Sequence, residues 1–288
     1  MISNELYADE KYFSEAIHFT KSHYENFPVI SFFVQKPLRK YVAVIYQFAR
    51  QADDLADEGN LSSEERILKL EEYELQLNNA LHNKFSSGFW KILKSTVVDN
   101  SLSELNFKKL LTAFKQDVVK KRYSSFEEIL GYCKNSADPV GRLILELHQI
   151  KDDKSKFYSD KICTALQLAN FYQDVSIDNK KNRIYIPKDE LDEYNVTENE
   201  VLNGQFSEKF KELLKYQVDR VEKLFKDGRN LLKYLPIGLK FQILVTIKGG
   251  EAILKKIKKN DYNVLKIRPT LSKYDFIKLF LTAILFRR

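Results

Sequence analysis

Gln167-Leu168-Ala169-Asn170-Phe171-Tyr172-Gln173-Asp174-Val175-Ser176-Ile177-Asp178 reads as helix, and its polar residues are not scattered. Gln167, Asn170, Asp174 and Asp178 recur at i, i+3, i+7 and i+11, which puts all four on one stripe over roughly 16 Å of helix at 1.5 Å per residue. Leu166, Leu168, Ala169, Phe171 and Val175 fall on the other faces and belong in a core. Far earlier in the chain, Tyr46-Gln47-Phe48-Ala49-Arg50-Gln51-Ala52-Asp53-Asp54-Leu55-Ala56-Asp57 repeats the arrangement, with Asp53 and Asp57 spaced i, i+4. Carboxylates stacked in this way repel each other, so an isolated helix gains nothing from them. Two such helices facing across a cleft are sensible when hard cations fill it, and Mg2+ held by carboxylates plus substrate phosphates is the usual arrangement. A single aspartate pair on a helix surface is common and carries no function. Two pairs set in apolar helices, one sharing its stripe with Gln and Asn, form a different pattern. A di-iron bundle would want Glu and Glu-x-x-His spacings, which the four histidines at 18, 23, 82 and 148 do not make.

Outward from these segments the helical period continues. Residues 8–26 carry Tyr12, Ala16, Phe19 and Tyr24 at helical spacing and end at Asn26-Phe27-Pro28. Pro37 suits the first turn of a helix running to Asp57, with Val42, Ile45, Phe48, Ala49 and Ala52 on its apolar face. Gly59-Asn60 ends it, and Ser62 with Glu65 makes a capping box for the next. Further helices are predicted at 62–83, 86–98, 103–121 and 125–148, then a long one at 156–179 after the polar connection Lys151-Asp152-Asp153-Lys154-Ser155. Ile184-Tyr185-Ile186-Pro187 reads as extended, because proline restricts the residue before it. Short helices near 188–203 lead to long ones at 207–234 and 237–259, a break at Arg268-Pro269, and a last helix from 272. With 9 Gly and 6 Pro in 288 residues there are too few turn residues for a β-sandwich or barrel. No repeat, low-complexity tract or linker interrupts the pattern, so residues 1–288 read as one all-α domain.

A content of 44% hydrophobic and 30% charged residues is that of a globular rather than a disordered chain, and 16 Tyr with 20 Phe give an aromatic-rich interior suited to a large apolar cavity. The net charge of +7 fits an anionic ligand, a nucleic acid or an anionic membrane surface equally well, but no nucleic-acid motif is present. Cys133 and Cys163 show no metal spacing and read as two buried free thiols in a reducing compartment. The N-terminus has no basic start followed by an apolar stretch, so it is not a signal peptide. No apolar run approaches the roughly 20 residues needed to span a bilayer. The most apolar stretch, Phe276 to Arg288, reads as a last core helix; the alternative is a segment resting on a membrane surface with Arg287 and Arg288 at the headgroups. The expected location is cytoplasmic, with peripheral contact at the inner face of the cytoplasmic membrane as the variant.

Five segments together resemble the squalene/phytoene synthase family: His23-Tyr24-Glu25-Asn26-Phe27-Pro28, Tyr46 to Asp57, Tyr132-Cys133 followed by Ala137-Asp138-Pro139-Val140-Gly141, Gln167 to Asp178, and Arg183-Ile184-Tyr185-Ile186-Pro187. The resemblance spans nearly the whole chain. It implies a single-domain, isoprenoid-synthase-type helical bundle around a large central cavity, in which two aspartate-rich motifs face each other and hold about three Mg2+ against a prenyl diphosphate. The metal-facing residues it implies are Asp53, Asp57, Asn170, Asp174 and Asp178, the four aspartates being catalytic as well. His23-Tyr24-Glu25-Asn26-Phe27-Pro28, Leu168 to Asp174, and Arg268-Pro269-Thr270-Leu271-Ser272-Lys273 resemble the bacterial hydroxysqualene synthase branch of hopanoid biosynthesis. Condensing members of the family usually carry Arg where this chain has Gln173. The departure removes a cation for a second diphosphate, and a branch handling one already joined substrate would tolerate it.

The reaction the resemblance implies is a lyase or transferase step: Mg-dependent loss of diphosphate from presqualene diphosphate, cation rearrangement and water capture, giving hydroxysqualene. Arg50, Gln167, Asn170, and Arg183 with Tyr185 are the candidates to hold the substrate, with Lys180 and Lys181 at a helix end where lysines are usually solvated. Tyr132 is the candidate catalytic hydroxyl; from composition alone it reads equally as a buried tyrosine with a satisfied hydroxyl. His23 would bind diphosphate or order water, against a purely structural reading. No nicotinamide cofactor is expected. The alternative reaction joins two farnesyl diphosphates head to head into presqualene diphosphate or dehydrosqualene. A second alternative, a non-catalytic helical pathway scaffold, has no reason to keep repelling carboxylates in an apolar bundle; partner enzymes in a hopanoid pathway are implied by the resemblance alone.

Overall fold

A computed structural model describes residues 2–23, 34–272, 274, 275, 278 and 279, with side chains placed from Asp9 onward. The segment Tyr24 to Pro28 and the C-terminal residues 280–288 therefore lie outside the described residues. Among those described there is no strand. The helices are α1 (Ile2–Ser22), α2 (Arg39–Asp57), α3 (Ser63–Leu81), α4 (Gly88–Asp99), α5 (Glu104–Val119), α6 (Phe126–Ser136) and α7 (Asp138–Leu147). They continue with α8 (Asp153–Asp178), α9 (Lys188–Glu193), α10 (Glu198–Leu202), α11 (Glu208–Gly228) and α12 (Ile237–Lys259). Short 3-10 turns at Lys36–Leu38, Asn179–Lys181 and Arg229–Lys233 join some of them. The chain packs as two compact units, one of Met1–Val119 with Pro139–Asp152, the other of Lys120–Asp138 with Asp153–Arg288.

The first unit is built around the apolar face of α2. Val42, Ile45, Phe48, Ala52 and Ala56 are buried there, at the spacing that keeps one helix face turned inward. Phe48 is fully buried and meets the edge of Phe107 at a 5.1 Å ring separation, while Tyr73 and Trp90 pack at 4.8 Å. Burying one such side chain is worth roughly 1.5–3 kcal/mol. The Tyr73 hydroxyl donates to the Phe48 carbonyl at 3.2 Å, so its polar end is satisfied inside the cluster. At the start of α3 the Ser62 hydroxyl accepts from the Glu65 amide and the Glu65 carboxylate accepts from the Ser62 amide, as the capping box predicts.

The predicted helix over 125–148 is two helices. Pro139 in the first turn of α7 disfavours helical backbone at Asp138 and cannot donate an amide to the preceding turn, so α6 ends at Ser136.

The second unit is built around α8. Its length exposes two contact faces to α11 and α12, and both approaches depend on glycine. A Cβ at Gly228 would lie 2.6 Å from Ile162 and 3.3 Å from the Tyr158 carbonyl; one at Gly250 would lie 2.5 Å from Phe225 and 3.0 Å from Leu166. Beside them Arg220 lies 3.4 Å over the Phe126 ring and donates to the buried Glu190, Nη2 to Oε2 at 3.1 Å; Gln217 donates to the same oxygen at 2.7 Å. Cys133 is buried, but Cys163 is only half-buried, which corrects the expectation of two buried thiols. Cys163 lies four residues before Gln167, on the stripe α8 leaves open. No described helix is long and apolar enough to cross a membrane.

Candidate active site

In the first unit the residues that α2 keeps out of the core are the ones with chemistry. Tyr46, Arg50, Asp53 and Asp57 are all half-buried, and their i, i+4, i+7, i+11 spacing puts them on one stripe. Arg50 is gathered among acids of its own helix region, at 2.8 Å from Asp54, 3.7 Å from Asp53 and 3.8 Å from Glu58. Asp53 is held as a reluctant anion. Burial pushes its carboxyl up to about 6; Arg50 opposes that shift, and Asp57, Asp117 and Asp54 add to it. Although 45% of the Asp53 side-chain surface is open, a group can touch water and still be ringed closely enough by protein to lose much of its hydration. Asp117 is the addition that sequence reasoning missed. It lies on α5 and is 9% exposed. The signal was available: Leu110, Phe114 and Asp117 continue one helical stripe, so a carboxylate stands where the apolar series would go on.

In the second unit α8 presents the predicted stripe. Gln167, Asn170, Asp174 and Asp178 are each half-buried while Leu168, Ala169, Phe171, Tyr172, Gln173 and Val175 are buried. Asp174 accepts from Arg268 through both oxygens, Nε to Oδ1 and Nη2 to Oδ2, the latter at 3.1 Å. Its sequence neighbour Gln173, 2% exposed, donates Nε2 to the Pro269 carbonyl at 2.7 Å. Neither contact is visible in the sequence, because each joins residues more than ninety positions apart.

Beyond Asp178 a 3-10 turn ends at Asn182 in the left-handed conformation, φ 52° and ψ 40°, a backbone state that Asn tolerates better than most residues. The chain then runs extended, as predicted: the Ile184 amide donates to the Lys121 carbonyl at 3.0 Å and the Lys188 amide to the Tyr123 carbonyl at 2.9 Å. Arg122 fixes this turn by donating to the Asn182 carbonyl at 2.6 Å and its side-chain oxygen at 2.8 Å. The result is an aromatic cluster. Tyr185 stacks on Phe171 at 3.6 Å and on Tyr123 at 5.6 Å, and Tyr132 lies 5.8 Å from Phe171 and 6.0 Å from Tyr185. Arg183, 5% exposed, lies 5.9 Å from the Tyr185 ring centre. Asp178, Arg183, Tyr185 and Phe171 line a common small cavity of about 10 Å3, near the smallest volume that admits one water.

His23 directly follows α1. Its Nδ1 is 2.8 Å from the Phe19 carbonyl and its ring 4.2 Å from the Phe19 ring. An imidazole that donates Nδ1–H to a carbonyl offers Nε2 as its acceptor when neutral.

Among the described residues no group of three His, Cys, Asp or Glu side chains is placed to hold a metal ion by itself. The donors that are present are hard oxygens offered one or two at a time, which is the chemistry Mg2+ accepts when phosphate oxygens and water complete its shell.

An all-α fold with carboxylate stripes on its half-open helix faces is that of an isoprenoid synthase, and comparison bears this out. The structure matches the crystal structure of squalene synthase HpnC from Alicyclobacillus acidocaldarius with a TM-score of 0.84 and 35% identity, covering 88% of this chain and 96% of that one. A dehydrosqualene synthase crystallised with ligand has the same fold, with a TM-score of 0.85 at 21% identity over 96% and 97% of the two chains. The profile of the squalene/phytoene synthase family matches residues 20–275, and the chain belongs to that family of enzymes. A hydroxysqualene synthase of Sinorhizobium fredii is 30% identical over 250 residues, 86% of this chain and 83% of that protein. A hydroxysqualene synthase of Zymomonas mobilis is 36% identical over 177 residues, 60% and 58% of the two chains. The resemblance read from the five motifs is thereby borne out.

Proposed function

We propose that this chain is a hydroxysqualene synthase: it releases diphosphate from presqualene diphosphate and adds water to the rearranged cation. The observation that carries the reading is the α8 stripe, where Gln167, Asn170, Asp174 and Asp178 stay half-open on a helix buried elsewhere. The names of the relatives at 30% and 36% identity support the choice of reaction.

Asp53 and Asp57 on one helix, and Asn170, Asp174 and Asp178 on the other, are the residues that would hold Mg2+, about three ions with the diphosphate. When bound, the metal neutralises developing charge on the departing diphosphate. The protein's own share is binding and shielding. Arg50, Gln167 and Arg183 hold diphosphate oxygens, with Tyr185 beside Arg183 keeping the guanidinium in place, and His23, through an accepting Nε2, orders a water beside them. The C–O bond breaks with its electron pair leaving on the diphosphate. The aromatic faces of Phe171, Tyr132 and Tyr185 exclude water and favour the cyclopropylcarbinyl cation electrostatically. The Tyr132 hydroxyl orients the single water that forms the new C–O bond, and the proton that water loses passes to the released diphosphate. Oxidation state is unchanged overall, so the reaction draws on no nicotinamide. The chain works as one catalytic domain, in contact with the cytoplasmic face of a membrane that takes up the product and with pathway enzymes that supply the substrate.

The head-to-head condensation of two farnesyl diphosphates is the second reading, and Arg268 favours it: its guanidinium on Asp174 supplies a cation near the position where condensing members carry Arg. Mass spectrometry of products decides between them, with farnesyl diphosphate and presqualene diphosphate offered separately with Mg2+. Hydroxysqualene from presqualene diphosphate alone is expected. A C30 lipid from farnesyl diphosphate alone would establish condensation, and no product from either would overturn both.

A further inference from the structure

Two consecutive residues of α8 hold two consecutive residues far along the chain: Gln173 takes the carbonyl of Pro269, and Asp174 takes the side chain of Arg268. The two contacts do different work. Proline has no amide and a fixed φ, so the carbonyl is the handle by which position 269 can be gripped. Once that carbonyl is fixed, the backbone from which Arg268 springs is fixed with it. Gln173 itself cannot reach a ligand, because it is 2% exposed and its amide is spent inside the protein. Arg268 can, since 36% of its side-chain surface is open while it rests on Asp174. A planar guanidinium aimed in advance loses less freedom when it meets phosphate oxygens than one hanging from a loose segment.

We propose that Gln173 is a positioning residue for the diphosphate site: by clamping the Pro269 carbonyl it delivers the Arg268 guanidinium to Asp174 and to the phosphate oxygens that bind beside it. The inference rests on the diphosphate-binding reading above. It makes the loss of a cation at position 173 a relocation of that cation to position 268.

The test uses the full chain and inorganic pyrophosphate with saturating Mg2+, titrated calorimetrically. Gln173→Met keeps the volume and removes the donor, leaving the Pro269 carbonyl without its bond. Gln173→Asn keeps the amide but stops a methylene short, and serves if the first variant folds poorly. Both should bind Mg-pyrophosphate about tenfold more weakly, the size of one lost hydrogen bond to a buried partner. Amide exchange over residues 264–272 should quicken in parallel. In an Arg268→Gln background the same substitutions should change the affinity no further, because the clamp acts through that arginine. A merely structural glutamine would alter exchange and leave pyrophosphate affinity untouched, and that result overturns the proposal. So does an affinity loss that persists in full without Arg268. Wild-type protein that binds no Mg-pyrophosphate sinks the functional reading and the clamp together. Wild-type binding with unaltered variants sinks the clamp alone.

Discussion

Phe171 and Tyr185 lie face to face, ring centres 3.6 Å apart and planes within 9° of parallel. One comes from the acidic helix and the other from the extended segment after it, so the stack joins the helix that bears the oxygen-rich stripe to the segment that carries Arg183. Phe171→Ala should cost about 3–5 kcal/mol in stability, as large-to-small changes of buried aromatics do. Tyr185→Phe keeps both rings and should stay within about 1 kcal/mol of wild type. Denaturant unfolding measures both. An equal loss in the two variants would show that the hydroxyl, not the stack, holds the segment.

Asp53 makes stability depend on pH in a definite direction. Its folded value is about 6 against 3.8 ordinarily, so between those values the fold keeps a proton that the unfolded chain releases. Stability therefore falls as pH rises through that window and stays lower above it. Asp53→Asn has no proton to lose in this range. In magnesium-free buffer the melting temperature of the variant, taken relative to wild type, should rise from pH 4 to pH 7. The amplitude is limited because 45% of the side chain meets solvent. Melting curves that stay parallel across this range would contradict the assignment.

Asp174→Asn keeps the size and most hydrogen bonds of the side chain but removes its charge. Turnover of presqualene diphosphate should fall at least about a hundredfold, with helical content unchanged by circular dichroism. Near-normal activity would mean that Asp174 holds no metal.

The Glu190–Arg220 pair is buried behind α8, with 8% and 18% of the two side chains exposed. Glu190→Ala strands the guanidinium and should cost about 3–5 kcal/mol, whereas Glu190→Leu combined with Arg220→Met should recover most of that. A double variant no better than the single one would place the energy in the Arg220–Phe126 stack instead.

Most helices were legible because their apolar residues recur at the helical period, and the Ser62–Glu65 cap was legible because both partners sit within one turn. The stripe on α8 was legible for the same reason: four oxygen-bearing residues share a face whatever the tertiary fold does. Asp138-Pro139 was the local signal that should have divided the helix over 125–148. Arg268 on Asp174 could not be read, since nothing in local spacing links positions 94 residues apart. The same holds for Gln173, whose absent charge was visible while its burial and its partner at Pro269 were not.

Gly228 and Gly250 touch no ligand, yet they set how deeply α11 and α12 seat against the helix that bears Asn170, Asp174 and Asp178. A methyl group at Gly228 would press on the α8 backbone at Tyr158 and Ile162, and one at Gly250 on the Phe225 ring and the Leu166 side chain; either would disturb the seating of α8 and carry its oxygens out of register with any ion they share. A saturation scan of this enzyme should accordingly mark two hydrogen atoms, far from any reacting bond, as intolerant as the aspartates themselves.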